Sequence, residues 1–307
     1  MEEFFASREL SANTQRNYRR ELRRFLDWTP LTWQGVSFRE IDRYRDFLKD
    51  LPVGERGRSA ASLNLARAAL RSFFAWMVAR DYCVKDPTAQ WEKVKDKPWV
   101  AKDLPSEQVQ ALFEALANRG ENRVRDTALL HVLSHGLRAS EIVGLNVEDF
   151  DGTRLRVFQS KTQRWKSVPL GSAGREAIAS YLDWREGVGF VGSGGDPLFV
   201  SHSPDPVYRG KRLSYNGLYS IFKGLAAAAG IDSSHPHQMR HTFATLLAVM
   251  GMEGQLARLL TGHRSEASYE RYNLRALELR AEEEFYRLVE GQLPGQDLSC
   301  DAVRSMG

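Results

Sequence analysis

Cysteine is nearly absent: the 307 residues hold only Cys83 and Cys300, far apart and at no metal-ligand spacing. This excludes a disulfide framework and a cysteine zinc site. No apolar run approaches the roughly 20 residues that cross a bilayer, and the opening MEEFFASREL lacks the basic start and apolar stretch of a secretory leader. The expectation is a cytoplasmic protein with no membrane partner. A dinucleotide loop is also missing, because the glycine-rich GVGFVGSGG follows a helical pattern and not a strand, and so reads as a flexible connection. There is no internal repeat. Excess charge is small, at +4, a weak pointer to a polyanionic partner, so placement matters more than sum.

What is present is apolar material for about two domains, at 42% hydrophobic and 10% aromatic content. In SANTQRNYRRELRRFLDW, Tyr18, Leu22, Phe25 and Leu26 recur at helical spacing while Arg16, Arg19, Arg20, Arg23 and Arg24 fill the remaining arc. A second helix follows at SFREIDRYRDFLKDL, with Ser37 and Glu40 as a capping box. SAASLNLARAALRSFFAWMVARDY gives a third, with Arg67, Arg71 and Arg80 outside its apolar stripe. Arginine on one helix is ordinary solvation; its repetition over several helices points to a DNA-facing surface, carried by Arg16, Arg19, Arg20, Arg23, Arg67 and Arg71.

PTAQWEKVKDKPWVAKDLP is aperiodic, lysine-rich and broken by prolines, as suits a connector. The expected organisation is a helical domain over 1–95, a linker over 96–104, a second domain over 105–290 and a disordered tail over 291–307. Ser106 is placed to cap the helix SEQVQALFEALANRG, and Gly136 to stop the helix NRVRDTALLHVLSHG. VEDFDGTRLRVFQSKTQRWKSVPL then alternates apolar and polar residues and breaks at Asp151-Gly152 and around Thr162, as a small antiparallel sheet does. Helical patterns return at GREAIASYLDW, SYNGLYSIFKGLAAAAG, HPHQMRHTFATLL, MEGQLARLL and RALELRAEEEFYRLVEG, so the second domain is mixed α+β.

His237 and Arg240 are three apart and His237 and His241 four apart, so both pairs share a helix face. The histidine pair alone would suit zinc. Against metal, no glutamate follows His237, Arg240 puts a fixed cation on the same face and no carboxylate lies nearby in sequence. A histidine beside an arginine instead makes a cationic, hydrogen-bonding claw for phosphate oxygens. Arg138 sits between a helix stop and a helix start, Lys161 on the hairpin, and His263 after a glycine, all in the same half.

In order and spacing, HGLRASE, SKTQRWKSVPL, HPHQMRHTFATLL and LLTGHRSEASYERY resemble the motifs of the tyrosine recombinases, the phage integrase family with its Xer-type resolvases. The resemblance covers nearly the whole chain. It implies an all-α, helical, SAM-like core-binding domain followed by an α+β catalytic domain with a small antiparallel sheet. It makes Arg138, Lys161, His237, Arg240 and His263 catalytic, Tyr272 the nucleophile nine residues beyond His263, and Glu141 an acidic group that orders the site. Tyr269, one turn earlier, falls where relatives often carry a small hydroxyl residue. Two departures stand out: Ser160 and Thr162 replace glycines that commonly flank the lysine, and Thr261 replaces a common leucine.

The implied activity is site-specific recombination through a 3′-phosphotyrosine and a Holliday junction, with no ATP, metal or other cofactor. The implied partners are double-stranded DNA carrying specific recombination sites and a homotetramer, or a heterotetramer with a paralogue. With no arm-binding domain ahead of residue 1, a simple-site, Xer-like enzyme is expected over a mobile-element integrase. A catalytically silent DNA-binding regulator of the same fold and a metal-dependent hydrolase are the rival readings.

Overall fold

The fold is that of a computed structural model, which describes residues 1–50, 58–95, 102–159, 163–190, 193–263 and 265–291. The chain divides into two compact units, Met1–Trp99 and Val100–Gly307. The expected linker lies outside the described residues apart from 102–104, and so does nearly all of the expected tail.

The first unit contains α1 (Glu2–Ala6), α2 (Ala12–Trp28), α3 (Phe38–Asp50) and α4 (Ala60–Ala79). Ser11 and Ser59 cap α2 and α4, each hydroxyl accepting a backbone N–H three residues on at 3.2 Å. On α2 the period of 3.6 buries Leu22 and Phe25, while α4 buries Leu63, Ala66, Leu70, Phe73, Phe74 and Met77. The core is aromatic, with Phe25 edge-on to Tyr44 at 4.8 Å and Phe4 edge-on to Phe73 at 5.3 Å. Of the expected capping box on α3, one arm forms: Ser37 Oγ accepts from the Glu40 amide at 3.4 Å. The Glu40 carboxylate turns instead to the Thr29 hydroxyl at 3.4 Å and Arg43 at 3.7 Å.

The second unit comprises α5 (Ser106–Glu114), α6 (Arg123–Ser134), α7 (Ala139–Gly144), β1 (Arg154–Gln159), β2 (Arg164–Pro169), α8 (Ser172–Gly187), α9 (Tyr215–Ala228), α10 (Pro236–Val249), α11 (Gly254–Thr261) and α12 (Glu266–Gly291). Ser106 does not cap α5: it is the first helical residue, after Pro105, and its hydroxyl donates to Glu107. Leu104, expected in the connector, is buried, and its amide donates to the Thr242 hydroxyl at 2.8 Å.

β1 and β2 pair antiparallel, with Leu155 opposite Val168 and Val157 opposite Lys166. Leu155, Val157 and Val168 turn into a core shared with Leu129, Leu133, Ile142, Ile178 and Phe222 from the surrounding helices. A separate cluster joins Ala244, Leu247 and Ala248 of α10, Ala257 of α11, and Tyr269, Tyr272 and Ala276 of α12. The alanines let α10 and α12 approach closely enough to seat both tyrosine rings between them. The patterns SEASYERY and RALELRAEEEFYRLVEG, read separately in sequence, are one helix of 26 residues.

Candidate active site

Two glycines in left-handed conformation open the construction. Gly136, at φ 76°, ends α6 where a Cβ would collide with the Phe243 ring, and Gly262, at φ 67°, ends α11 where one would collide with the Gln159 side-chain amide. Each then offers its carbonyl to an arginine. Arg240 Nη1 donates to Gly136 O at 2.6 Å, and Arg138 Nη2 to Gly262 O at 3.2 Å.

Arg138 is the N-cap residue of α7. Its backbone amide donates to Glu141 Oε2 at 3.0 Å and its Nη1 to Oε1 at 2.6 Å, so the buried Glu141 carboxylate ties the guanidinium to the start of the helix. Burial raises the Glu141 pKa, but Lys166 and Arg138 outweigh it, and the carboxyl is held below its ordinary value. Arg240 is only 1% exposed, and its Nη2 has no partner among the described residues. Burial, then Arg138, push its pKa down to about 10. A buried guanidinium nitrogen without an acceptor is costly, and an anion seated against it would offset that cost.

His237 opens α10. Its outer edge meets solvent, while burial of the inner edge and Arg240 beside it hold its pKa down to about 4. His263 follows Gly262; burial, Arg240 and Arg138 push it to about 3, so its imidazole is neutral at ordinary pH.

The two tyrosines differ in what their hydroxyls meet, although both rings are 1% exposed. Tyr269 Oη donates to the Ala244 carbonyl of α10 at 3.2 Å. Tyr272 Oη lies 2.6 Å from His241 Nδ1 and 3.5 Å from His263 Nε2. Burial holds the Tyr272 pKa above its ordinary value although Arg271, Arg240 and Arg138 oppose it, whereas burial and the neighbouring Tyr272 push Tyr269 up to about 12. Only Tyr272 has a phenolate supported by cations.

The fold thus gathers Arg138, Glu141, His237, Arg240, His263 and Tyr272 around one spot, from three helices and a loop. Lys161, expected on the hairpin turn, lies outside the described residues. A second lysine, which sequence reasoning missed, is present. Lys166 Nζ on β2 is 3.6 Å from Glu141 Oε2 and donates to Leu260 O at 3.2 Å, with its side chain 8% exposed. Burial, opposed by Glu141, lowers its pKa to about 8. The available signal was the strand period of two, which puts Lys166 in phase with the buried Val168. His241, weighed in sequence only as half of a zinc pair, is the closest side chain to the Tyr272 hydroxyl in the contacts above. Among the described residues no cluster of histidine, cysteine and carboxylate side chains is arranged to hold a metal.

Residues 102–277 match the phage integrase family, and residues 1–81 match the phage integrase N-terminal SAM-like domain. A tyrosine recombinase XerC from Roseiflexus castenholzii is 34% identical over 280 residues, spanning 86% of this chain and 84% of the relative. The chain belongs to the phage integrase family and is a tyrosine recombinase. A tyrosine recombinase XerD from Halalkalibacterium halodurans is 30% identical to it over 259 residues, 83% of this chain and 85% of that protein. In fold the recombinase is similar to lambda integrase residues 75–356, a dimer bound to a COC′ core site, with a TM-score of 0.69 at 20% identity, covering 89% of this chain and 92% of that one. It is likewise similar to a lambda integrase tetramer bound to a Holliday junction, with a TM-score of 0.68 at 20% identity, covering 88% and 74%.

The arginines expected to face DNA are placed unequally in the recombinase's first unit. Arg16, Arg19, Arg20 and Arg23, with Arg24 and Asp27, line a concavity along α2. Arg16, Arg20 and Arg23 are exposed; Arg19 pairs with Glu2 and stacks over Phe5, and Arg20 also reaches the buried Glu21 at 3.2 Å. On α4, Arg67 donates to the Trp91 carbonyl, and the exposed Arg71 to the Ala89 carbonyl at 3.4 Å. Among the described residues no helix is long and apolar enough to cross a membrane.

Proposed function

We propose that the recombinase cuts a DNA strand by in-line attack of Tyr272 on a phosphodiester, holds the 3′ end as a phosphotyrosine, and rejoins it to a second strand through a Holliday junction. The observation that carries this reading is the unpartnered Nη2 of buried Arg240, set beside Arg138 and within the electrostatic reach of the Tyr272 hydroxyl. Arg138, Arg240 and Lys166 face one carboxylate, Glu141, so the site has an excess of positive charge suited to a phosphate.

Two forked guanidiniums can hold both non-bridging oxygens and stabilise the charge that builds on them during attack. His237, on the open edge of the cluster, supplies a further hydrogen bond. Lys161 protonates the departing 5′ oxygen. The phosphotyrosine conserves the energy of the broken bond, so a 5′ hydroxyl reverses the step without ATP. Arginines carry the charge stabilisation, and no metal or cofactor is needed.

The DNA is double-stranded, and the α2 arginines track its backbone. The relatives named XerC and XerD favour a simple-site resolvase over a mobile-element integrase. The working assembly is a tetramer on two sites. Leu277, Phe285 and Leu288 leave an apolar stripe exposed on α12, beyond Tyr272, where a neighbouring subunit can cover it.

The test is a nicked duplex carrying the sequence that this protein selects from a random DNA library, incubated in EDTA and run on a denaturing gel. A covalent protein–DNA band is expected. No band, or cleavage that EDTA abolishes, contradicts the proposal and returns the silent-binder or metal-hydrolase reading.

A further inference from the structure

Two imidazoles face the Tyr272 hydroxyl, and the hydrogen-bond pattern separates their roles. His263 is committed on its far nitrogen. Its Nδ1 lies 2.7 Å from Thr261 Oγ1, and that hydroxyl, fully buried, donates to the Ala257 carbonyl at 2.7 Å. A hydroxyl carries one proton, so towards His263 the threonine accepts and Nδ1 holds the imidazole proton. Neutral His263 therefore presents an unprotonated Nε2 to Tyr272, at 3.5 Å, the limit of a hydrogen bond. Thr261, where the family commonly has leucine, sets this tautomer.

His241 lies closer. It follows Arg240 on α10, is buried, and packs edge-on against His237 with ring centroids 4.4 Å apart. Burial, His237 and Arg271 push its pKa down to about 3, so it too is neutral before DNA binds. The separation of 2.6 Å from Nδ1 to Tyr272 Oη is shorter than the range of about 2.7–3.2 Å usual for an N–H donor and suits a phenolic O–H donating to a ring nitrogen.

We propose that His241, through Nδ1, is the base that takes the phenolic proton of Tyr272 as its oxygen attacks the scissile phosphate. The inference rests on the reading of Tyr272 as nucleophile. In the step, the Tyr272 O–P bond forms and the P–O5′ bond breaks. The phenolic proton passes to His241 Nδ1, giving an imidazolium, and the departing 5′ oxygen takes a proton from Lys161 or from water. Rejoining returns the imidazolium proton to the tyrosine oxygen. The phosphodiester itself prepares the base: its negative charge, seated against Arg138 and Arg240, offsets cations that hold the His241 proton affinity down. Before DNA arrives the same contact keeps the nucleophile protonated and buried.

The experiment measures single-turnover cleavage of the nicked duplex by the full chain. His241→Asn keeps a hydrogen-bond acceptor but removes basicity. It is expected to bind DNA as the parent does and to cleave at least ~10²-fold more slowly, the usual contribution of a positioned base. Installing a more acidic fluorinated tyrosine at position 272 is expected to restore much of that loss. A 5′-bridging phosphorothiolate, whose leaving group departs unprotonated, is expected to restore none. Added imidazole is expected to rescue His241→Gly, which guards against a defect of folding alone. Cleavage by His241→Asn within a few-fold of the parent overturns the proposal, as does rescue by the phosphorothiolate and not by the fluorinated tyrosine. A fluorotyrosine response in His263→Asn and not in His241→Asn assigns the base to His263 and also overturns it. If the parent itself forms no adduct at Tyr272, the nucleophile reading fails instead, so the two failures are distinct.

Discussion

The arginines of α2 and those beside Tyr272 are the same residue in opposite circumstances. Along α2, Arg16, Arg20 and Arg23 stand in water, and Glu2, Glu21 and Asp27 are close at hand, so each guanidinium is screened and individually worth little. Arg240 is 1% exposed, anchored by one nitrogen to Gly136 O and left with Nη2 unpartnered among the described residues. Exposed arginines can supply affinity in bulk; a buried, aimed arginine can supply geometry. Position in the fold, and not residue type, separates the two sets of arginines.

The sharpest way to break this contrast is to keep the charge and change the shape. Arg240→Lys retains the cation but loses the planar fork, and single-turnover cleavage is expected to fall by roughly 10²–10³-fold, as when one transition-state donor is removed. DNA affinity measured by titration should change little. Near-normal cleavage by this variant would reduce Arg240 to a point charge.

A smaller effect is expected at Lys166, which touches Glu141 and not the phosphate claw itself. Lys166→Met removes a charged hydrogen-bonding group worth about 1.5–3 kcal/mol, so cleavage should fall about tenfold or more. The pH profile adds a check that packing loss would not give. Lys166 is a cation below its pKa of about 8 and neutral above it, so parent activity should decline as pH rises through about 8. That limb should be missing from Lys166→Met; a limb of unchanged position would assign it to another group.

On α2 the expectation is milder. Arg16→Ala and Arg23→Ala should weaken binding to all DNA sequences alike, each lowering the slope of log affinity against log salt by about 1, with cleavage at saturating DNA unchanged. A strong cleavage defect at saturation would erase the distinction between the two sets of arginines. Smallest of all is the effect of Arg67→Ala on DNA binding. Its guanidinium is engaged with the Trp91 carbonyl, so the variant should lose about 1 kcal/mol of stability, read as a lower Tm, while keeping the salt slope.

That last expectation shows where sequence reading stops. Helical periodicity correctly put Arg67 outside the apolar stripe of α4, but nothing local showed that Trp91, far along the chain, would return its carbonyl to it. The helices, the hairpin and the two-unit organisation were legible because period, turn residues and glycine stops are local signals, as at Gly136. Arg138, His237, Arg240, His263 and Tyr272 were read from motif spacing, and the fold brings them together. Lys166 was overlooked because a lysine on a strand reads as solvated until its neighbours are known. His241 was misjudged for a related reason: helical spacing paired it with His237, while the contact that defines it comes from Tyr272, 31 residues away on another helix. Capping by Ser106 failed by one residue, because Pro105 already occupies the N-cap.

Which tyrosine of the pair on α12 forms the bond to DNA is decided by mapping that bond. Tyr269 and Tyr272 are equally buried and one turn apart, but Tyr269 donates to the Ala244 carbonyl while Tyr272 meets two neutral imidazoles. Parent, Tyr272→Phe and Tyr269→Phe proteins would each be trapped on the nicked duplex, digested, and the DNA-linked peptide identified by mass. An adduct is expected at Tyr272 in the parent and in Tyr269→Phe, and none in Tyr272→Phe despite intact DNA binding. A persistent adduct in Tyr272→Phe, mapped to Tyr269, would contradict it.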